Sequence, residues 1–216
     1  MPLPESAELF YGLNLTKEQR GYVDSIFDNK LTIVDAASGT GKTTLAVGAS
    51  KIIGKPTYFI FSPVEEARMG YLPGDLSDKE SVYTQPLIDA TLAIGEYPSK
   101  AIYDEKNIDQ AKAQSAWLYP MSHVYARGIN LKDCTVIISE AQNFTRGELK
   151  KVLTRCHDTC KVVIEGHHLQ CDLEDETKSG FIPYLEHFRD QPYVGVHKLT
   201  KNHRGEISQH ADKLSW

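Results

Sequence analysis

The sequence predicts an α/β domain with a mainly parallel β-sheet and helices on both faces. Two observations lead to this fold. Short β-branched runs alternate with helical stretches along the chain, which is the pattern of right-handed βαβ units. The first of these runs passes directly into a glycine-rich turn and then into a helix rich in small residues. A chain of 216 residues suits one such domain better than two, so we expect a single domain over residues 1–216.

The individual elements follow from periodicity and end signals. Thr16 is a suitable N-cap for the first helix, and Val23, Ile26 and Phe27 then recur at helical spacing. The expected helices cover residues 16–28, 42–53, 77–94, 145–155, 179–189 and 204–214. The expected strands cover residues 31–34, 57–61, 134–139, 161–165 and 193–199. The polar stretch 96–114 is the best candidate for a mobile insertion.

Composition and charge limit the possible functions. Hydrophobic residues make up 41% of the chain and charged residues 25%, which are ordinary values for a soluble globular protein. We expect a cytoplasmic protein without membrane contact, because no apolar run is long enough to span a bilayer and the N-terminus does not resemble a signal peptide. The net charge of −5 excludes a general attraction to nucleic acid, so such a site would have to be a local basic groove.

The glycine-rich turn AASGTGKT at residues 36–43 fits the phosphate-binding motif G-x-x-x-x-G-K-[S/T], with Ala36 at the first position. Its glycines allow successive backbone N–H groups to point at phosphate oxygens. Lys42 can reach the β- and γ-phosphates, and the Thr43 hydroxyl can coordinate Mg²⁺. The following helix adds the positive end of its dipole. We therefore predict a nucleotide-binding P-loop with Mg²⁺. The residues expected to contact the nucleotide are Ser38, Gly39, Thr40, Gly41, Lys42, Thr43 and Thr44.

Further blocks of the sequence resemble the PhoH-like family, P-loop ATPases related to the core of superfamily 1 helicases. The blocks occur in the family's order: SPVEEARMGYLPGDL at 62–76, RG at 127–128, EAQN at 140–143 and GHHLQ at 166–170. The resemblance covers residues 13–214. It implies a RecA-like P-loop NTPase fold, ATP as the nucleotide, and work on single-stranded RNA or DNA. A single RecA-like core normally needs a second one for such work, so a homo-oligomer or a partner protein is expected.

A glutamine precedes the first strand, where helicase-like ATPases place an adenine-reading residue. The Gln19 amide offers a donor and an acceptor that fit the N6/N7 edge of adenine and would favour ATP over GTP. The alternative is an ordinary exposed glutamine on a helix.

The apolar run that ends at residues 139 and 140 resembles a Walker B strand. Glu140 is the candidate for orienting and deprotonating the attacking water. Ser139 stands where the family has the Asp that holds Mg²⁺, and its hydroxyl brings no charge. With Thr43, these two residues form the expected metal position.

A second acidic position of the family is also replaced, because its Gly-Asp pair is Gly166-His167 here. Glu165 ends the neighbouring strand one residue earlier. Our hypothesis is that Glu165 supplies a relocated carboxylate to the nucleotide pocket. The alternative is a solvated carboxylate at a strand end.

The resemblance also implies groups that respond to the γ-phosphate. Gln170 and Arg204 are expected to sense it, and Arg127 is the alternative arginine. Either arginine could act within one subunit or across an interface, or could be an ordinary surface residue in a salt bridge.

Three functions remain open at this point. The first is an ATPase. The second is a nucleotide-gated adaptor with slow or no hydrolysis, because Ser139 and His167 replace two carboxylates. The third, a P-loop kinase, is disfavoured by the helicase-type EAQN block. A zinc site among Cys156, Cys160, Cys171 and the two adjacent histidines is weaker than buried, reduced thiols.

Overall fold

The computed structural model describes the backbone of residues 10–63 and 76–211, and the side chains of residues 10–63 and 84–210. Its strands are β1 (Leu31–Ala36), β2 (Thr57–Phe61), β3 (Leu118–Ser122), β4 (Thr135–Ile138), β5 (Lys161–Gly166) and β6 (Val194–Leu199). They form one sheet in the order β3-β2-β4-β5-β1-β6. Every neighbouring pair is parallel. The predicted parallel α/β fold is confirmed.

Helices connect these strands and cover both faces of the sheet. They are α1 (Lys17–Asp28), α2 (Lys42–Ile53), α3 (Leu76–Ala93), α4 (Pro98–Ala101), α5 (Ile108–Ala113), α6 (His123–Ala126), α7 (Arg146–Leu153), α8 (Phe181–Phe188) and α9 (Glu206–Ala211). Thr16 and Thr145 begin α1 and α7 with complete capping boxes, which explains why these two starts are readable from sequence. Across the described ranges, no helix combines the length and apolarity needed to cross a bilayer.

The two faces of the sheet carry separate apolar cores. One core contains Val34 and Val163 with side chains from α1, α2 and α3. The other contains Ile33 and Ile164 with side chains from α7 and α8. Because side chains alternate along a strand, consecutive residues at the carboxyl ends of β1 and β5 face opposite sides of the sheet.

Strand β3 was not predicted, and its sequence explains why. It contains Pro120, which pairs in register with Phe59 of β2. Proline cannot donate a hydrogen bond to a second neighbour, so it weakens the sequence signal of a strand and suits a sheet edge. β3 is indeed the edge strand beside β2. The ring of Tyr119 lies between those of Tyr58 and Tyr103, which anchors the strand from its other positions.

The structure describes the predicted insertion at residues 96–114 but little of the sequence block at residues 62–76. Residues 96–114 contain the short helices α4 and α5, and the buried Gln110 amide bonds to the backbone of Ser99 and Asp104. The mobility of this segment stays a prediction. Residues 64–75, which are most of the SPVEEARMGYLPGDL block that supports the family resemblance, lie outside the described residues.

Candidate functional site

The glycine-rich turn follows β1 and leads into α2 as the motif requires. Gly39 and Gly41 have φ angles of 78° and 83°, a region that favours glycine. A Cβ at Gly39 would also lie 2.6 Å from Asn202 Oδ1, so that position has no room for a side chain. Gly41 begins α2 without a side-chain cap, which leaves the first backbone N–H groups of the helix available to an anion.

Lys42 is the first residue of α2 and is almost fully buried. Its Nζ lies 3.2 Å from Glu140 Oε1. Glu140 follows β4 in a left-handed conformation with φ of 50°, and its Oε2 accepts a hydrogen bond from Gln142 Nε2 at 2.7 Å. Two of the predicted catalytic residues therefore form an ion pair with each other.

Glu165 lies directly behind the P-loop and is fully buried. Its Oε2 accepts a hydrogen bond from the Thr43 hydroxyl at 2.8 Å, and its Oε1 accepts one from the Tyr22 hydroxyl at 3.1 Å. Burial raises the pKa of Glu165 to about 7, against the opposing effects of Lys42 and the two hydroxyl donors. The alternative of a solvated strand-end carboxylate is wrong. In addition to Glu140, which contacts Lys42, the Glu165 carboxylate therefore contacts the P-loop through Thr43.

The two positions that lack the family's carboxylates lie at the ends of neighbouring strands. Ser139 is buried, and its backbone N–H donates to Ile60 O at 2.9 Å. The backbone N–H of His167 donates to Gln142 Oε1 at 3.0 Å. Since the same Gln142 side chain donates to Glu140, one glutamine connects the ends of β4 and β5 beside the ion pair.

The loop after β6 packs against the P-loop. His203 N donates to Gly39 O at 2.8 Å, and Asn202 Oδ1 accepts from Arg204 N. The exposed Arg204 side chain passes over Gly39, where a Cβ would lie 2.9 Å from Arg204 Cγ. The predicted arginine is therefore beside the phosphate cradle.

Gln19 is buried at the same place, so its reading as an exposed helix glutamine is wrong. Its Nε2 donates to Thr40 O at 3.0 Å and lies 3.2 Å from His203 Nε2. Its Oε1 accepts from the backbone N–H of Thr16. The side chain thus connects α1 to the P-loop.

A cavity of about 240 Å³ opens beside Gln19 and the P-loop. Its wall combines aliphatic side chains with the glutamine amide and P-loop backbone, which suits a planar heteroaromatic ring. The lining includes Leu13, Leu15, Gln19, Gly39, Gly41 and Leu45.

Within the described ranges, no contact brings the predicted residues Gln170 and Arg127 to the cradle. Gln170 is exposed, and its backbone N–H donates to His167 O in a turn. Arg127 is exposed near His123 and Glu148. Ser38 lies within the cradle and Thr44 directly follows it; both are partly buried, and Thr44 also lines the cavity. The roles assigned to these residues stay predictions.

Sequence reasoning missed two residues of the site. Gln142 lies inside the recognised EAQN block, so its position was a usable signal. Tyr22 had no such signal, because a tyrosine among apolar residues on a helix is typical of core packing. Only the contact between α1 and the end of β5 reveals its hydrogen bond to Glu165.

Comparison with known proteins places this geometry in a family. The family model described as PhoH-like protein matches residues 13–213. A PhoH-like protein of Mycobacterium leprae (strain TN) is 34% identical over 186 residues, which cover 81% of this chain and 50% of that protein. Protein PhoH of Escherichia coli (strain K12) is 29% identical over 189 residues, covering 85% of this chain and 51% of that protein. The chain thus spans about half the length of these relatives.

Solved structures agree on the fold. The large terminase of a thermophilic bacteriophage, in complex with ADP, aligns with a TM-score of 0.57 at 14% identity, covering 92% of this chain and 49% of the terminase. The UvsW helicase of bacteriophage T4 aligns with a TM-score of 0.53 at 11% identity, covering 86% of this chain and 60% of the helicase. The resemblance in sequence is confirmed, and the chain belongs to the PhoH-like family, with a P-loop NTPase fold.

Proposed function

We propose that this PhoH-like chain binds Mg-ATP at residues 36–43 and hydrolyses it, and that hydrolysis is coupled to single-stranded RNA or DNA. One observation carries the proposal. Two carboxylates from neighbouring strands meet the first two residues of α2: Glu140 contacts Lys42, and Glu165 contacts Thr43. Basic, hydroxyl and acidic groups thereby converge on one helix N-terminus, as phosphoryl transfer requires.

The adjoining cavity supports a nucleotide rather than a simple phosphate ion. Gln19 Oε1 uses one lone pair for the Thr16 backbone and retains another that can accept from the N6 amino group of adenine. Guanine presents an acceptor at the corresponding position, so this contact would favour ATP. The ADP present in the phage terminase structure agrees with this use of the fold.

The donor set fits Mg²⁺, which prefers oxygen ligands. The Thr43 hydroxyl and the Glu165 carboxylate are already in contact, and the Glu140 carboxylate and Ser139 hydroxyl lie at the end of the next strand. These residues would hold the ion directly or through its water molecules. When bound, Mg²⁺ neutralises the charge on the β- and γ-phosphate oxygens.

The ion pair between Lys42 and Glu140 suggests how binding prepares hydrolysis. A γ-phosphate bound beside Lys42 would replace Glu140 as the ion-pair partner of the ammonium group and leave the Glu140 carboxylate free. The hydrogen bond from Gln142 would keep the freed carboxylate in place to orient and deprotonate water. Arg204, which passes over Gly39, would stabilise the charge on the transferring phosphoryl group.

The proposal also covers coupling to a nucleic-acid strand, oligomeric assembly and cellular location. The terminase and helicase neighbours make strand-linked work a reasonable output for this fold. With one such core in this chain, a second copy or a partner would supply the opposing surface. A cytoplasmic location agrees with four free cysteines.

A nucleotide-gated adaptor is the second candidate. It is favoured by the uncharged Ser139 at the family's Mg²⁺ position and by a Glu165 that is about half protonated at neutral pH. Both features weaken the acidic support of the Mg²⁺ ion, and loss of a supporting carboxylate typically lowers metal affinity or activity about 10–100-fold. ATP could then still bind through the cradle while its hydrolysis is slow.

Steady-state ATP hydrolysis, with and without single-stranded RNA or DNA, tests the proposal. Lys42→Ala and Glu140→Gln should each abolish turnover, because they remove the phosphate contact and the water-orienting carboxylate. Lys51→Ala, at the other end of the same helix and paired with Glu96, is the matched control. Turnover that a strand stimulates supports the motor. Tight ATP binding without turnover supports the adaptor. Phosphate transfer to a small molecule would overturn both.

A further inference from the structure

A second cluster of ligand-type side chains lies at the carboxyl ends of β1 and β5. Asp35, His167 and His168 each present one metal-ligating atom, and these atoms all lie within 4.8 Å of one another. His168 Nδ1 is 2.8 Å from Asp35 Oδ2, and the backbone N–H of His168 donates to Asp35 Oδ1 at 3.2 Å. In the portion of the chain that the structure describes, this is the one group of three such residues.

Asp35 of this cluster and Glu165 of the proposed Mg²⁺ position lie on opposite faces of the sheet. Glu165 follows Ile164 on β5 and therefore shares the face of Val163, where it meets α1 and α2. Asp35 follows Val34 on β1 and therefore shares the face of Ile33. The two carboxylates thus point to opposite faces, while Gln142 contacts both His167 of this cluster and Glu140 of the proposed Mg²⁺ position.

We propose that Asp35, His167 and His168 form a binding site for a divalent transition-metal ion of the zinc type, separate from the Mg²⁺ that accompanies ATP. Two imidazoles and one carboxylate are ligands that zinc and its first-row neighbours accept, whereas Mg²⁺ prefers oxygen. Neighbouring ligand atoms around a tetrahedral zinc ion are about 3.3 Å apart, given zinc–ligand distances of about 2.0–2.1 Å. The contact between His168 and Asp35 needs only a small expansion to admit the ion.

The surroundings meet two further requirements of a metal site. The backbone N–H of His167 is held by Gln142 Oε1, and that of His168 by Asp35 Oδ1, so the two ligand-bearing residues are fixed from their main chains. His168 also lines a cavity of about 370 Å³ together with Arg146, Cys171 and Glu176, which gives an ion a route from solvent.

The cysteines are the competing zinc ligands in this chain. Cys134 Sγ and Cys160 Sγ lie 3.5 Å apart, and Cys156 is close enough to act on both electrostatically. Burial raises the pKa of Cys156 to about 12 and that of Cys134 well above its ordinary value. In the metal-free protein the Cys134 and Cys156 thiols therefore favour their protonated form, which makes them weaker candidates than the Asp35 cluster.

Metal binding to the untagged full chain, without nucleotide, tests the proposal. The protein is stripped with a chelator and titrated with Zn²⁺ or Co²⁺, and bound metal per chain is measured by equilibrium dialysis. We expect one ion per chain, held at least about 10-fold more weakly by Asp35→Asn and by His168→Ala. His187→Ala, which removes an exposed histidine on α8, should bind like the unchanged protein. Excess Mg²⁺ should not displace the ion.

Several results would overturn the site. They are unchanged binding in both ligand variants, displacement by Mg²⁺, or loss of binding in Cys160→Ser with retention in the ligand variants. Glu165→Gln should retain the ion, and its loss there would assign the ion to the P-loop. If Asp35→Asn fails to fold, His167→Gln with His168→Ala decides the question. Because ATP is absent throughout, failure of this site leaves the proposed ATPase intact, and failure of the ATPase leaves this site intact.

Discussion

The two sides of the proposed nucleotide site differ in how closely they follow their sequence motifs. The cradle at residues 36–43 keeps Gly41, Lys42 and Thr43 of the motif at their expected places and replaces only its first glycine, by Ala36. The acidic side, at the ends of β4 and β5, has Ser139 and His167 at the two positions where the family resemblance implies an aspartate. A fully buried carboxylate is nevertheless present there, one residue earlier on β5.

The difference reflects what each side has to provide. The cradle would bind phosphate through backbone N–H groups, and its conformation is fixed by glycines and by close packing against Asn202 and Arg204. The acidic side provides charge, and a charge can be supplied from any neighbouring strand end that reaches the same point. A motif therefore predicts individual residues of the cradle. For the acidic side it predicts only that a carboxylate lies near the ends of β4 and β5.

The largest expected effect comes from removing the relocated carboxylate. Glu165→Gln should weaken Mg-ATP binding about 10–100-fold and leave Mg-free ATP binding nearly unchanged, because the amide keeps the size but loses the charge. Titration of ATP with and without Mg²⁺ measures both values. Glu186→Gln, an exposed change on α8, is the control. Equal Mg-ATP affinity in Glu165→Gln would mean that this carboxylate has only a structural role.

A second change extends this test. In the Glu165→Gln background, Ser139→Asp returns a carboxylate to the family's position and should recover about 10-fold of the lost Mg-ATP affinity. Thermal melting must accompany the measurement, since Ser139 is buried. No recovery in a folded protein would show that the two positions are not interchangeable.

The pH dependence of stability sharpens the comparison in the metal-free protein. The pKa of Glu165 is about 7 in the fold and near 4.5 without it. A raised pKa contributes stability that is complete below the unfolded value and is lost as pH rises through the folded one. Relative to Glu165→Gln, the unchanged protein should therefore lose about 1 kcal/mol of unfolding free energy between about pH 6 and pH 8. Denaturant unfolding in chelator measures this, and parallel pH profiles would contradict it.

The smallest effect concerns the cradle side. Gln19→Ala should lower ATP affinity by about 3-fold, with a smaller change for GTP, because only adenine would use the free lone pair of Oε1. Loss of half of the capping box should also cost about 0.5–1 kcal/mol of stability. Competition binding with the two nucleotides provides its own control. Equal weakening of both would show that Gln19 only supports Thr40.

Particular elements show what the sequence could and could not predict. Five of the strands and the starts of α1 and α7 follow from local patterns, and the structure has them within a residue or two. β3 was not predicted because Pro120 is unusual within a strand, and its presence is explained only once the strand is known to lie at the sheet edge. The position of Glu165 beside Thr43 could be suspected from sequence, but its protonation could not. The raised pKa comes from complete burial, and the hydrogen bond from Tyr22, which only the packing of α1 brings near, opposes it.

The hydrogen bond from His203 N to Gly39 O has a mechanical consequence. It ties the exit of β6 to the most tightly packed glycine of the cradle, and α9 begins three residues later. A backbone shift at Gly39 when nucleotide binds would therefore displace His203 and, with it, the start of α9. Helix α9 would then transmit the occupancy of the phosphate site to any chain or molecule that packs against it.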